Sequence, residues 1–461
     1  MYAAASLVAF VAAWILLALR VDPVPTWFYV FAWYPTLGVF DALASRRAGA
    51  RPILQRPLTA LSLLGWSAPI WLLFEAANLR LRNWYYVFLP DHPVERWAGI
   101  LISFATVVPA VVLAERLLRI FGIGDTWRGP AWRMRPRRLA TVCALGVVTT
   151  ALAVARPAEC FPLIWGSLWL LADPLVYARR PEWSLLGDVE QGRWGRIGRL
   201  LVGGLAIGAL WETYNGLARG KWIYTVPGLD DLKWFEMPPL GFLGFPFLAL
   251  EVWAVYHLLC AMGVAVEPDA GHAARSDGAE RGARGSENTL PPWHSVLHAP
   301  RRFTAVLVAA AFSALTLLGM ERWTISSTTP QLRDLPSITS AEAGALRAAG
   351  VSTPFALADA APAALAERTG IPRERLDTLH GVAALATLRG IGTAHTGRLM
   401  ELGIDDPCGL ARADADALWR ALGAGENTRP TVAEVRVWVR AGRSFAERRV
   451  PNNDCRLAIA D

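Results

Sequence analysis

With 461 residues, 54% of them hydrophobic and only 18% charged, the chain is too apolar for an ordinary cytosolic enzyme and long enough for more than one domain. Its net charge of +7 sits mostly on Arg in short segments between apolar runs, a pattern of membrane orientation rather than nucleic-acid affinity. Eighteen of the 21 Trp precede residue 300, so the membrane character belongs to that part of the chain.

Apolar runs predict spans at about 3–20, 26–44, 58–78, 97–118, 138–156, 160–178, 199–217, 239–262 and 303–321. No Lys or Arg precedes the first run, so it reads as a span rather than a cleaved signal. The 45–57, 115–138, 178–199 and 264–302 segments hold 21 Lys or Arg, against 8 in the alternate set. The positive-inside rule then puts the N-terminus in the cytoplasm and the C-terminal part outside the cell membrane.

The first eight spans read as a duplicated four-helix unit, with parallel copies related by an axis along the membrane normal. Trp33 to Asp41, followed by Arg46 and Arg47, recurs at the same internal spacing as Trp165 to Asp173, followed by Arg179 and Arg180. Glu75 and Asn78, leading to Trp84-Tyr85-Tyr86, recur in the same order as Glu212 and Asn215, leading to Trp222-Ile223-Tyr224. The domains expected are therefore a duplicated membrane part over 1–264, a disordered linker over 265–302, a ninth span over 303–321 and a soluble part over 330–461.

An ionisable group at bilayer depth is costly and marks a candidate site. Asp41 and Asp173 precede Arg pairs, so interfacial ion pairs are expected there, and Glu115 is expected to pair with Arg119 on a helix surface. Glu251 and His257, six apart, do not share a helix face. Glu75 and Glu212 each face an Asn one turn on. Their alternatives are a hydrogen bond that stabilises the repeat, or a carboxylate snorkelling at the aromatic belt. The second copy adds Trp234-Phe235-Glu236-Met237-Pro238-Pro239 and a Gly/Pro-rich helix start, which predicts irregular backbone and Glu236 in an aromatic cavity. Gly99 stands at that place in the first copy.

The run from Trp211-Glu212 through Ala218-Arg219-Gly220-Lys221-Trp222 to Phe235-Glu236-Met237-Pro238 resembles the lycopene cyclase domain of small bacterial and fungal carotenoid cyclases. It departs from that family where Met237 follows Glu236, and where Lys221 and Thr225 flank the aromatic pair. The four-plus-four-plus-one layout is also similar to intramembrane prenyltransferases, without their Asp-rich motifs. The cyclase resemblance implies a cofactor-free, acid-initiated reaction on a lipid or isoprenoid. Glu236 and Glu212 would be its catalytic acids, with Trp211, Asn215, Trp222, Tyr224, Trp234, Glu75 and Asn78 lining the substrate. A carboxyl group in low dielectric keeps its proton, and ring faces stabilise a carbocation. The rival reading is a non-catalytic scaffold. No metal or cofactor is expected.

In the C-terminal part, residues 335–370 and 388–423 align without gaps at an offset of 53. Leu388-Arg389-Gly390-Ile391-Gly392 resembles the hairpin of tandem helix-hairpin-helix domains, which implies a phosphate nest at Gly390 and Gly392. The equivalent turn is Ser337-Ile338-Thr339, and Asp405, Asp406, Asp414 and Asp416 crowd the second unit. A protein partner is therefore expected before DNA. The fold class predicted is all-α: a polytopic helical bundle of two four-helix repeats and a ninth span, with a small helix-hairpin-helix domain. Cys408 and Cys455 leave their pairing open.

Overall fold

The computed structural model describes residues 1–226, 233–268, 293–423 and 430–449. Most of the linker expected over 265–302 lies outside the described residues, as does Cys455. The chain is predominantly helical and divides into two compact units.

The first unit holds 1–81, 97–218 and 227–319. Its helices are α1 (Tyr2–Ala18), α2 (Val24–Arg47), α3 (Pro57–Leu81), α4 (Pro93–Phe104), α5 (Val107–Ile120) and α6 (Pro136–Ala155). A short turn α7 (Pro157–Cys160) leads to α8 (Ser167–Arg179), α9 (Leu185–Glu190), α10 (Gly195–Leu217), α11 (Gly244–Ala261) and α12 (Trp293–Trp323). Six segments among the described residues are long and apolar enough to cross a membrane: Pro57–Leu81, Pro93–Ile120, Pro136–Ala155, Pro157–Arg179, Pro239–Ala261 and Arg301–Trp323. The other three expected runs are helical but fall short. Tyr2–Ala18 covers about 25 Å at 1.5 Å per residue, below the hydrocarbon thickness. Val24–Arg47 is diluted by Trp, Tyr, Pro and Thr, and Gly195–Leu217 by glycines and charges.

Two contacts show how these helices approach each other. Between α4 and α5 the helix breaks, and the Ser67 hydroxyl of α3 repairs it. That hydroxyl donates to the Phe104 carbonyl at 2.6 Å and accepts from the Val108 N–H at 3.0 Å. On α10, Gly204 and Gly208 let the start of α11 come close. A Cβ at Gly204 would stand 2.7 Å from the Phe245 carbonyl oxygen, and one at Gly208 would stand 2.3 Å from the Phe245 ring.

The second unit is larger than the soluble part expected over 330–461. It gathers 82–96, 219–226 and 320–461, so the loops after α3 and α10 belong to it. Those loops form β1 (Trp84–Val87) and β2 (Lys221–Tyr224), antiparallel, with Tyr85 opposite Ile223. The stretch after α12 runs parallel to β1, where the Tyr86 N–H donates to Thr324 and the Ser326 N–H to Tyr86. The helices that follow are α13 (Ser340–Ala348), α14 (Pro354–Asp359), α15 (Pro362–Thr369), α16 (Arg373–Ala386), α17 (Gly392–Glu401), α18 (Pro407–Arg412), α19 (Ala415–Ala421) and α20 (Val432–Arg449).

Two cores result. One is built on Leu346, Leu357, Leu376 and Leu379, the other on Leu399, Leu410, Val435 and Trp438. Each has a capped helix starting at Pro, with Thr353 accepting from Ala356 N–H and Asp406 from Gly409 N–H. Arg96 completes the unit. It holds Glu321 through two hydrogen bonds of 2.7 and 2.9 Å and donates to the Pro90 and Asp91 carbonyls.

Candidate functional site

Glu75 and Asn78 on α3, and Glu212 and Asn215 on α10, are all 0% exposed. That removes the snorkelling alternative, because a carboxylate reaching the interface would keep solvent contact. Trp71 Nε1 donates to Glu75 Oε1 at 2.9 Å. Both helices carry aromatic rings into the bundle. Trp211 lies 5.7 Å from Trp33, with Tyr214 at 5.4 Å from the same ring, and Phe74 stacks on Trp165 at 5.9 Å. The Tyr214 hydroxyl shares a 2.9 Å hydrogen bond with Thr36.

Glu236 is 3% exposed in a tight turn closed by hydrogen bonds between Trp234 and Met237. Phe235 adopts φ +56° at that turn and covers Gly216, where a Cβ would come within 2.7 Å of its ring. The Pro/Gly-rich entry that follows is a 3-10 turn, Pro239–Leu243, before α11 begins at Gly244. Trp234, expected to wall a cavity, instead is 63% exposed, because its ring rests flat on Phe235 and beside Phe242 on the outer side of the turn. At Gly99, which the sequence alignment of the two runs sets against Glu236, the Trp27 ring fills the space a side chain would need. Trp222 and Tyr224 lie on β2 in the other compact unit, so the predicted substrate-lining set divides between the two units.

The remaining buried acids have backbone or ionic duties. Asp41 accepts the Ile53 and Leu54 N–H groups at 2.9 and 2.8 Å, and Asp173 accepts those of Leu185 and Leu186 at 3.0 and 2.7 Å. These carboxylates close the loops after their helices, where ion pairs with the neighbouring arginines were expected. Glu115 is not a surface residue; it is enclosed and pairs with Arg199 at 2.8 Å as well as with Arg119 at 3.4 Å. Glu251 accepts the Leu168 N–H at 2.9 Å at the start of α8, where a carboxylate complements the helix dipole. His257 stacks on Trp253 and bonds its carbonyl, apart from that role. Ser67 and Arg199 escaped sequence reasoning, since neither stands in a motif.

The glycine turn of the C-terminal part is occupied from within the chain. Gly390 and Gly392 have φ +85° and +67°, as a hairpin turn requires. A Cβ on Gly390 would lie 2.1 Å from Val87 Cγ1, and one on Gly392 2.9 Å from Ser327. The expected phosphate nest therefore faces the β-ribbon and its flanking stretch rather than open solvent. Val437 and Phe355 pack on the same ribbon, and burial pushes the nearby His395 imidazole down to about 4. Gly390→Val is expected to destabilise this unit by roughly 2–4 kcal/mol, from left-handed strain and overpacking. Gly344→Ala, in a helix with nothing within 4 Å, stabilises it by about 0.5–1 kcal/mol. Limited proteolysis of the full chain reads both, and unchanged resistance of the Gly390 variant would sink the docking account.

Among the described residues no group of three or more His, Cys, Asp or Glu is placed to hold a metal ion. Cys143, Cys160 and Cys260 are free thiols, whereas Cys408 is disulfide-bonded. Residues 336–444 match a family described as a domain of unknown function, DUF4332. No curated protein and no solved structure matches the chain.

Proposed function

We propose that this protein is an integral membrane enzyme of nine spans that rearranges a lipid or isoprenoid by intramembrane acid chemistry, with Glu236 as proton donor and Glu212 in support. The observation that carries the reading is the burial of Glu75, Glu212 and Glu236 in a unit that holds six membrane-length apolar segments, with the Trp71 indole N–H on Glu75. The step is balanced without a cofactor. A protonated carboxyl group gives its proton to an alkene carbon, ring faces such as Trp211 stabilise the cation, and a proton lost after ring closure or double-bond shift returns to a carboxylate. The net change is an isomerisation. Comparison of the extractable lipids of cells with and without the protein tests it. A shifted isoprenoid or lipid species is expected, and identical profiles would leave the scaffold reading in its place.

The duplication has support of the same kind. Asp41 and Asp173 bind loop N–H groups 12 and 13 residues ahead in both copies. Ser67 and Gly204, at equivalent places in the two copies, meet the equivalent helix starts near Val108 and Phe245. The β-ribbon pairs Tyr85 with its own counterpart Ile223, so equivalent loop residues meet as well.

We read the C-terminal part as a tandem helix-hairpin-helix module outside the cell. Its disulfide-bonded Cys408 accords with an oxidising compartment. A cysteine introduced at exposed Ser352 is expected to react with a membrane-impermeant maleimide in intact cells. Reaction only after lysis would reverse the topology. The intramolecular occupation of Gly390 and Gly392 favours a protein-docking role for this module over DNA binding.

A further inference from the structure

We propose that residues 121–138, held against the 189–196 turn, form a binding surface for the phosphate headgroups of anionic phospholipids. The segment is a built surface. Gly129 N–H donates to Gly192, Trp132 N–H to Val189 and Trp194 N–H to Trp127, each at 3.2 Å. Five arginines, Arg128, Arg133, Arg135, Arg137 and Arg138, stand against one acid, Asp125. The acids beside it are already engaged. Both Glu190 oxygens accept, from Met134 N–H and the Tyr177 hydroxyl, and Asp188 holds Arg193 and Arg196. Arg135 and Arg137 are exposed and have no acidic partner among the described residues. Guanidinium groups suit phosphate oxygens because they offer paired N–H donors.

Depth selects lipid over a soluble polyanion. Helix α6 begins at Pro136, amid the arginines, and only 11% of its span is buried in the protein. Its exposed Leu145, Val147 and Val148 need hydrocarbon around them, which fixes the preceding loop at headgroup level. Trp132 is 54% exposed there, edge-on to Trp194, and Trp127, Phe121 and Ile123 are exposed beside it. Indole rings and short apolar side chains among arginines match the interface, where phosphates and acyl carbonyls lie together. A nucleic acid in water would leave the apolar rings uncovered.

The test uses the purified full chain in mild detergent, titrated with dioleoyl phosphatidylglycerol or dioleoyl phosphatidylcholine and read by native mass spectrometry. Phosphatidylglycerol is expected to be retained at least tenfold more tightly. The double variant R135Q/R137Q should weaken that lipid about twenty-five-fold, at roughly fivefold per arginine, and leave phosphatidylcholine unchanged. R436Q, at an exposed ion pair in the C-terminal part, should keep the preference and serves as the folding control. Equal retention of the two lipids by wild type, or a preference that survives R135Q/R137Q, overturns the proposal. So does soluble glycerol phosphate bound as tightly as phosphatidylglycerol.

Discussion

Asp173→Asn is expected to destabilise the membrane bundle by roughly 3 kcal/mol and, under the proposed chemistry, to leave turnover per folded molecule intact. The carboxylate accepts from Leu185 N–H, Leu186 N–H and the Ser184 hydroxyl at 2.7–3.0 Å, and it is buried. An amide offers one acceptor oxygen and turns an N–H₂ toward a backbone donor, so at least one buried N–H is orphaned. Asp41→Asn should behave alike through Ile53 and Leu54. Asp125→Asn, an exposed residue 3.7 Å from Arg199, should shift stability by less than about 0.5 kcal/mol. Thermal loss of the monodisperse peak in detergent measures the series. Full thermal stability of the Asp173 variant together with a collapse in turnover would move Asp173 from loop closure into the chemistry.

The repeated spacing on which the proposed duplication rests was legible in the sequence. Nearly equal offsets carry Asp41 onto Asp173 and Glu75 onto Glu212, and both Asp41 and Asp173 accept a loop N–H 12 residues on. The partners of Asp41 and Asp173 were not legible, since a backbone N–H has no residue signature, whereas a nearby Arg pair does. Trp234 failed for a different reason. In a membrane the lipid is as apolar as a core, so an aromatic residue in the sequence does not reveal whether it faces cavity or bilayer. The glycines at 390 and 392 correctly marked a tight turn. The same backbone serves a phosphate or the side chain of Val87, and only the fold distinguishes them. In the sequence, 84–87 and 221–224 look like parts of the membrane repeats, because nothing local announces a β-ribbon formed with a partner so distant along the chain.

Under the proposed acid chemistry, Glu236→Gln is expected to abolish the lipid product, by a factor on the order of a hundred or more, without disturbing insertion or folding. Glutamine keeps the size of the side chain and its hydrogen-bonding capacity in the Trp234–Met237 turn, but it holds no transferable proton. Glu212→Gln should give a smaller loss, about tenfold, as expected of a group that supports the donor rather than replacing it. Glu75→Gln is the internal comparison. It is enclosed as fully as Glu212, with Trp71 Nε1 on its carboxylate, but its copy has Gly99 where the second has Glu236, and the Trp27 ring leaves no room for an acid there. An acid mechanism therefore predicts an asymmetric pair: Glu212 sensitive, Glu75 nearly neutral in product formed per folded molecule. A purely architectural role for the Glu–Asn pairs predicts symmetry, with both variants losing stability and neither altering product per folded molecule. The measurement is the lipid profile of cells expressing each variant, normalised to the folded protein recovered. If Glu236→Gln matches wild type while deletion of the protein changes the profile, proton donation by Glu236 is excluded and the chemistry belongs to other residues of the bundle.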